Sequence, residues 1–412
     1  MISASRRRFL ASLSAVSTGG IISLSPLAPS FLLQSAALGA EQSGERILVV
    51  VQLSGGNDGL NTVIPYRDER YRRNRPSLAQ SESTVVKLQN DLGLHPSLRS
   101  FEKLLEARKL AIVQGVGYPN PNRSHFESMD IWHTARTALG DRTSGWLGRS
   151  LDSRLAAGSA DSQLALHLGA EVQPLALMGR EAQTPSIRSL DQFRLDTAGS
   201  AARRDLIEST IRPHRSGTND LLKFVAARST SALEVSRRMQ AAAGEYKSSV
   251  TYPAGLGEKL RQIAQLIDAG LSTQVYYVAL DGFDTHSDQA GAHAALLEQL
   301  GTSMAAFAED LTEHGHFDRV ATLVFSEFGR RVKENASRGT DHGAAAPALV
   351  MGNKVRPGLL GKHPDLSDLD DGDLKHHTDF RSLYAALLSD WLLWPAEIAL
   401  GKEIAPYELF QA

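Results

Sequence analysis

Four stretches of this chain, residues 46–53, 110–116, 274–280 and 320–325, are almost continuously aliphatic or β-branched. A strand wetted on one side alternates polar and apolar residues, whereas a run without alternation has both faces covered, as in a parallel sheet between two layers of helices. Amphipathic segments at residues 96–108, 256–271 and 290–314 lie between or before these runs, so the chain reads as strand–helix–strand crossovers. Shorter apolar runs at 164–168, 175–178 and 348–351 are further candidate strands, and residues 380–391 close the pattern as a helix. The expected fold class is α/β, with a central, mostly parallel sheet and helices on both faces. Residues 180–250 turn polar, rich in Ser, Arg and Ala, with helical periodicity, which predicts an inserted helical cap. No internal repeat or long linker divides the remainder, so residues 41–412 are expected to form one domain.

The N-terminus reads Ser5-Arg6-Arg7-Arg8-Phe9-Leu10, two adjacent arginines ahead of an aromatic–aliphatic pair. A weakly apolar stretch interrupted by Gly19, Gly20 and Pro26 follows, then the small-residue segment 35–40. This pattern predicts a twin-arginine signal over residues 1–40 and delivery to the periplasm by the twin-arginine translocase, either cleaved or kept as an anchor.

With 44 Lys and Arg against 46 Asp and Glu, the net charge is −2, so no strong field draws the chain to nucleic acid, and a small anionic ester or an envelope polymer is the expected partner. The chain has no cysteine, which removes disulfides, thiolate ligands and a Cys nucleophile, and leaves any chemistry to Ser, Thr, His, Asp, Glu and bound ions.

Segments rich in such residues follow the predicted strands: Asn57-Asp58 in a glycine loop, Asp281 to His286 with Asp284 in it, Glu327, and Asp341-His342. Open α/β sheets place ligands at the carboxyl ends of their strands, and carboxylates and imidazoles gathered there suit zinc, manganese, magnesium or calcium, with oxygen donors in the majority. Taken singly, each segment also reads as turn or cap chemistry. Ser124 follows the second strand at the start of a helix, where free N–H groups and the dipole stabilise an anion; Arg123 is placed to clamp that anion, and simple capping by Ser124 is the alternative. His125 is open between ligand, orienting donor and general acid. His377, beside His376 just before the last helix, is a further candidate metal ligand, with a solvated surface position as its alternative.

Residues 54–66 (SGGNDGLNTVIPY), 121–126 (PNRSHF), 145–149 (GWLGR), 326–331 (SEFGRR) and 339–343 (GTDHG) resemble the exported bacterial family called domain of unknown function 1501. That family is grouped with the alkaline phosphatase superfamily, so the resemblance implies an alkaline phosphatase-like plan with bound divalent metal ions. By position it implies Asp58 as the first metal ligand, Ser124 as nucleophile, Asp284 and His286 as middle ligands, Asp341 and His342 as the Asp-His pair, and His377 as the last histidine. Two departures stand. The superfamily's middle Asp and His are usually three residues apart, whereas Asp284 and His286 flank a single residue. Its Asp-His-Gly motif directly follows a strand, whereas here Glu327 follows residues 320–325; either Glu327 takes that position and Asp341-His342 reaches the site from a later loop, or only one of these segments binds metal.

The expectation is an exported metal-dependent hydrolase of phosphate or sulfate esters with Ser124, Arg123 and His125 as its catalytic group. The competing reading is a non-catalytic envelope-binding protein that keeps a degenerate metal site. A redox protein lacks both Cys ligands and a dinucleotide fingerprint.

Overall fold

The computed structural model describes residues 46–138, 140, 142–157, 164–182, 184–190 and 246–411. The twin-arginine segment and most of the expected cap lie outside the described residues.

Each of the four long apolar runs is a strand of one sheet, made of β1 (Ile47–Ser54), β2 (Leu110–Gly117), β3 (Ala165–Leu168), β4 (Ser186–Ile187), β5 (Val275–Asp281), β6 (Val320–Ser326), β7 (Ala346–Met351), β8 (Gly358–Leu360) and β9 (Thr378–Asp379). Their order across the sheet is β8, β2, β7, β6, β1, β5, β3, β4, with β9 paired to the end of β2. Every pairing is parallel except those of β7, which runs against both β2 and β6.

Among the described residues the α-helices are α1 (Glu69–Asn74), α2 (Glu102–Glu106), α3 (His125–Thr134), α4 (Trp146–Ala156), α5 (Leu256–Asp268), α6 (Gln289–Glu313), α7 (Phe380–Ala386) and α8 (Ala396–Leu400). Along β1 the side chains of Val49 and Val51 face one layer, with Ile263 of α5 and Leu300 and Phe307 of α6. Those of Leu48 and Val50 face the other, with Trp132 of α3, Trp146 of α4 and Tyr384 of α7. Burial on both faces is what the unbroken apolar runs demand, and each such side chain contributes about 1.5–3 kcal/mol. In α5, Leu256, Leu260, Ile263 and Ile267 recur every three or four residues and are all buried, so its period alone fixes the face it presents.

The structure corrects two local expectations. Residues 175–178 are not a strand: Leu175–Leu177 form a 3₁₀ turn after Pro174, and a short apolar run has no period to tell the two apart. The segment after His95 starts as 3₁₀ helix, Pro96–Phe101, and only then becomes α2. β1 and β2 run parallel, as the expected crossover requires, with β6 and β7 between them.

β1, β5 and β6 form the middle of the sheet in close register, Ser54 opposite Asp281 and Leu53 opposite Ser326. Their carboxyl ends therefore finish level, and the loops that leave them meet.

Candidate metal centre

Close approach of these loops depends on a glycine. Gly55 has φ +115°, and a Cβ there would lie 2.4 Å from the Asp284 backbone nitrogen and 2.9 Å from the Phe283 carbonyl carbon. Only a residue without a side chain lets the turn after β1 pass against the turn after β5. That passage sets Asp284 at the middle of the carboxyl edge.

Three imidazoles converge on Asp284. Its Oδ1 lies 3.4 Å from His125 Nε2, 3.0 Å from His286 Nε2 and 3.1 Å from His342 Nε2. His286 Nε2 and His342 Nε2 are 2.9 Å apart. His125, Asp284 and His342 each offer a ligand atom, all three within 4.8 Å of one another, and His286 joins them through Asp284 and His342. Behind each ring an acceptor holds the other nitrogen: Glu327 Oε1 is 2.9 Å from His125 Nδ1, Asp341 Oδ1 is 3.2 Å from His286 Nδ1, and the Arg123 carbonyl is 2.7 Å from His342 Nδ1. These acceptors place the ring protons on Nδ1, so all three Nε2 lone pairs face Asp284. His125 Nε2 is buried without a hydrogen-bond partner.

Glu327 is buried and takes the Gly55 N–H at 2.8 Å as well as His125. It is therefore an orienting group behind His125, at the position where the sequence suggested a ligand, and Asp341 stands in the same relation to His286. Beneath the rings lies Phe328, 4.9 Å from the His125 centroid and 4.7 Å from that of His342. Arg330 is buried and donates to the carbonyls of Gly56 (2.7 Å), Thr340 (2.7 Å) and Phe283 (2.9 Å), while its Nη2 reaches Asp284 Oδ1 at 2.7 Å. Burial works against ionisation of Asp284, but the Arg330 guanidinium outweighs it and holds the carboxyl down at about 2. The Glu327 hydrogen bond raises His125, and burial lowers His342. Sequence reasoning assigned no role to Phe328 or Arg330, although both lie in the SEFGRR motif.

Asp58 has a different setting. Fully buried, it forms an ion pair with Arg75, receives the Gln289 side-chain amide and accepts the Asn61 N–H at 3.3 Å. Burial alone would raise its carboxyl; Arg75 overrides that and holds it below the usual range. Beside it, Asn57 Oδ1 receives Thr62 Oγ1 at 3.1 Å and faces His293 Nε2 at 2.9 Å. The glycine-loop Asn and Asp thus turn inward and brace the loop.

Ser124 is the N-cap residue of α3, exposed, and its side chain makes no capping bond. It stands between Arg123, whose carbonyl holds His342, and His125. Arg123 does not present a free guanidinium: Asp373 Oδ2 lies 2.7 Å from it and Asp371 Oδ2 3.0 Å. His377 is exposed, its N–H bonded to the Gly115 carbonyl at 2.8 Å and its ring packed over Gly115, and no contact joins it to the three imidazoles among the described residues.

The donors fit a divalent cation. A tetrahedral ion with bonds of about 2.0–2.1 Å sets its ligands about 3.3 Å apart; the separations of Asp284 from each imidazole and of His286 from His342 are 2.9–3.4 Å, and His125 and His342 lie within 4.8 Å of each other. Three imidazoles with one carboxylate reverse the oxygen-rich set expected from sequence and suit zinc-type ions better than magnesium or calcium.

Fold and site together define an α/β protein with a three-histidine, one-aspartate centre at the carboxyl edge of a mostly parallel sheet. The chain belongs to the family of proteins of unknown function DUF1501, which matches over residues 110–391. That span contains every member of the centre but not Asp58. No curated protein matches the chain. Among solved structures, the PsFucS1 sulfatase from Pseudoalteromonas sp. is 11% identical, covering 91% of this chain and 74% of its own, with a TM-score of 0.37. The C-terminal periplasmic domain of EcEptC from Escherichia coli is 11% identical, covering 89% and 90%, with a TM-score of 0.36. An alkaline phosphatase superfamily protein from Vibrio parahaemolyticus is 9% identical, covering 82% and 73%, with a TM-score of 0.33. Likenesses this loose say nothing of what the chain acts on, and its fold stands on its own sheet order.

Proposed function

We propose that this chain is an exported, metal-dependent hydrolase of phosphate or sulfate esters. The observation that carries the reading is the convergence of three Nε2 atoms on Asp284 Oδ1 beside the exposed serine that opens α3. His125, His286, His342 and Asp284 would hold the cation, which when bound supplies Lewis acidity at an ester oxygen. Glu327 and Asp341 keep His125 and His286 in the ligating tautomer, and the Arg123 carbonyl does so for His342.

Ser124 supplies the nucleophile in this reading. Its hydroxyl makes no cap bond, and the N-terminus of α3 favours the negative charge of an anionic ester. Attack by Ser124 Oγ forms the bond to phosphorus or sulfur as the ester oxygen leaves with its electron pair and takes up the proton that the serine hydroxyl gives up; water then cleaves the seryl ester, releasing phosphate or sulfate and restoring the hydroxyl. The twin-arginine motif assigns delivery to the translocase of that name, with a small anionic ester or an envelope polymer as the partner met after export. Among the described residues no helix is long and apolar enough to cross a membrane.

Turnover of an aryl phosphate and an aryl sulfate by purified protein, beside Ser124→Ala, tests the reading. Loss of activity in the variant with metal retained is the expected result. Metal retained with no turnover of either ester by the wild type would instead favour a binding protein of the envelope.

A further inference from the structure

The rim of the centre carries a knot of four charges, in which Arg123, the anion clamp expected from sequence, is joined by Arg331 and two carboxylates. Arg123 precedes Ser124, and Arg331 follows Arg330. Both guanidiniums converge on a hairpin in which Leu369 pairs with Leu374 and Asp370 with Asp373. Asp371 Oδ2 lies 3.0 Å from Arg123 Nη2 and 3.3 Å from Arg331 Nη2, while Asp373 Oδ2 lies 2.7 Å from Arg123 Nη2 and its Oδ1 3.7 Å from Arg331 Nε.

The two carboxylates are not equivalent. Asp373 has a side chain only 3% exposed, and its Oδ1 has no hydrogen-bond partner, so its ion pair is part of the fold. Asp371 is 76% exposed at the tip of the turn. The Arg123 and Arg331 side chains are themselves 37% and 31% exposed, so solvent reaches both. Two arginines that share one exposed carboxylate oxygen are arranged as they would be around a tetrahedral oxyanion, which offers more acceptor oxygens and up to two charges.

We infer that Arg123 and Arg331 form an anion-recognition subsite for the phosphate or sulfate group of the ester, and that the Asp371 carboxylate is its displaceable occupant. This rests on the hydrolase reading for the identity of the anion. An exposed ion pair is worth at most about 1 kcal/mol, so a dianion held by two charge-assisted contacts displaces it. The gain from emptying the subsite is correspondingly modest.

The turn provides a clean probe. Asp371 (φ 48°) and Gly372 (φ 82°) are both left-handed, as a two-residue type I′ turn requires, and Asn-Gly suits that turn as well as Asp-Gly. Asp371→Asn therefore removes the charge and keeps the hairpin. Inorganic phosphate and, separately, sulfate would be titrated into wild type, Asp371→Asn and Arg331→Gln in the presence of a chelator, with binding read by calorimetry and folding by circular dichroism. Phosphate or sulfate is expected to bind Asp371→Asn about threefold to fivefold more tightly than wild type and Arg331→Gln more weakly. The anion with the larger gain identifies the ester class. Equal or weaker binding to Asp371→Asn, or no binding of either anion to any of the three, would overturn the inference; if Arg331→Gln does not fold, the Asp371→Asn comparison decides alone. Because the chelator removes metal from the measurement, an intact subsite in a protein that never retains zinc would count against the metal-hydrolase reading and not against this one.

Discussion

Glu327 Oε1 sits 2.9 Å from His125 Nδ1, and the opposite nitrogen of that ring faces Asp284 Oδ1 at 3.4 Å. One buried carboxylate therefore fixes which face of His125 is offered to the centre. Because Oε1 also takes the Gly55 N–H, the same atom ties the ring to the glycine turn. Glu327→Gln keeps an acceptor and nearly the same shape but loses the charge that favours the Nδ1 proton. Its zinc affinity, measured by competition with a chromophoric chelator, is expected to fall about 10- to 100-fold.

Asp58 lies in a buried ion pair with Arg75 and makes no contact with the imidazoles of the centre among the described residues. Asp58→Ala leaves an uncompensated guanidinium, and urea unfolding is expected to show a loss of about 3–5 kcal/mol. Zinc content of the folded fraction should stay at the wild-type ratio. Loss of zinc without loss of stability would return Asp58 to the ligand set.

The long strands were legible because burial on both faces of a parallel sheet leaves no room for alternation, and the site lay where strand ends and polar loops coincide. What could not be read follows from contacts that no period encodes. Nothing in residues 54–75 announces that Asp58 closes on Arg75, since a turn Asp that brackets a loop and a turn Asp that binds metal have the same neighbours in sequence. The two roles of His125 and Glu327, ligand and orienting acceptor, became distinct only when one was found behind the other. β7 reads like any buried strand, and its antiparallel direction is set by a short return from β6 through the hairpin of Arg330–Glu334 and Thr340–His342.

At Gly55, a Cβ would collide with backbone atoms of Phe283 and Asp284, and φ +115° disfavours any side chain there. Gly55→Ala is expected to cost about 2 kcal/mol or more and to weaken zinc binding together with stability, because the turn that must move carries Asp284. Thermal unfolding with and without added zinc checks both effects.

Burial pushes His133 down to about 3 and His293 to about 4, the latter despite the opposing charge of Asp58. In the unfolded chain both would titrate near 6.5, so below that value the unfolded state binds more protons and stability falls as pH drops toward the folded values. The contribution is complete above pH 6.5, and about 2 kcal/mol per group is lost by pH 5. Unfolding free energies between pH 7.5 and 5 should show this slope, and a flatter profile in His133→Gln would assign its share.

Zinc retained after exhaustive dialysis, measured by elemental analysis on wild type, Asp284→Ala, His342→Ala and His377→Ala, tests the centre most directly. The account predicts that wild type and His377→Ala keep the metal while Asp284→Ala and His342→Ala lose it and remain folded by circular dichroism. Zinc kept by both Asp284→Ala and His342→Ala, or never held by the wild type, would contradict it.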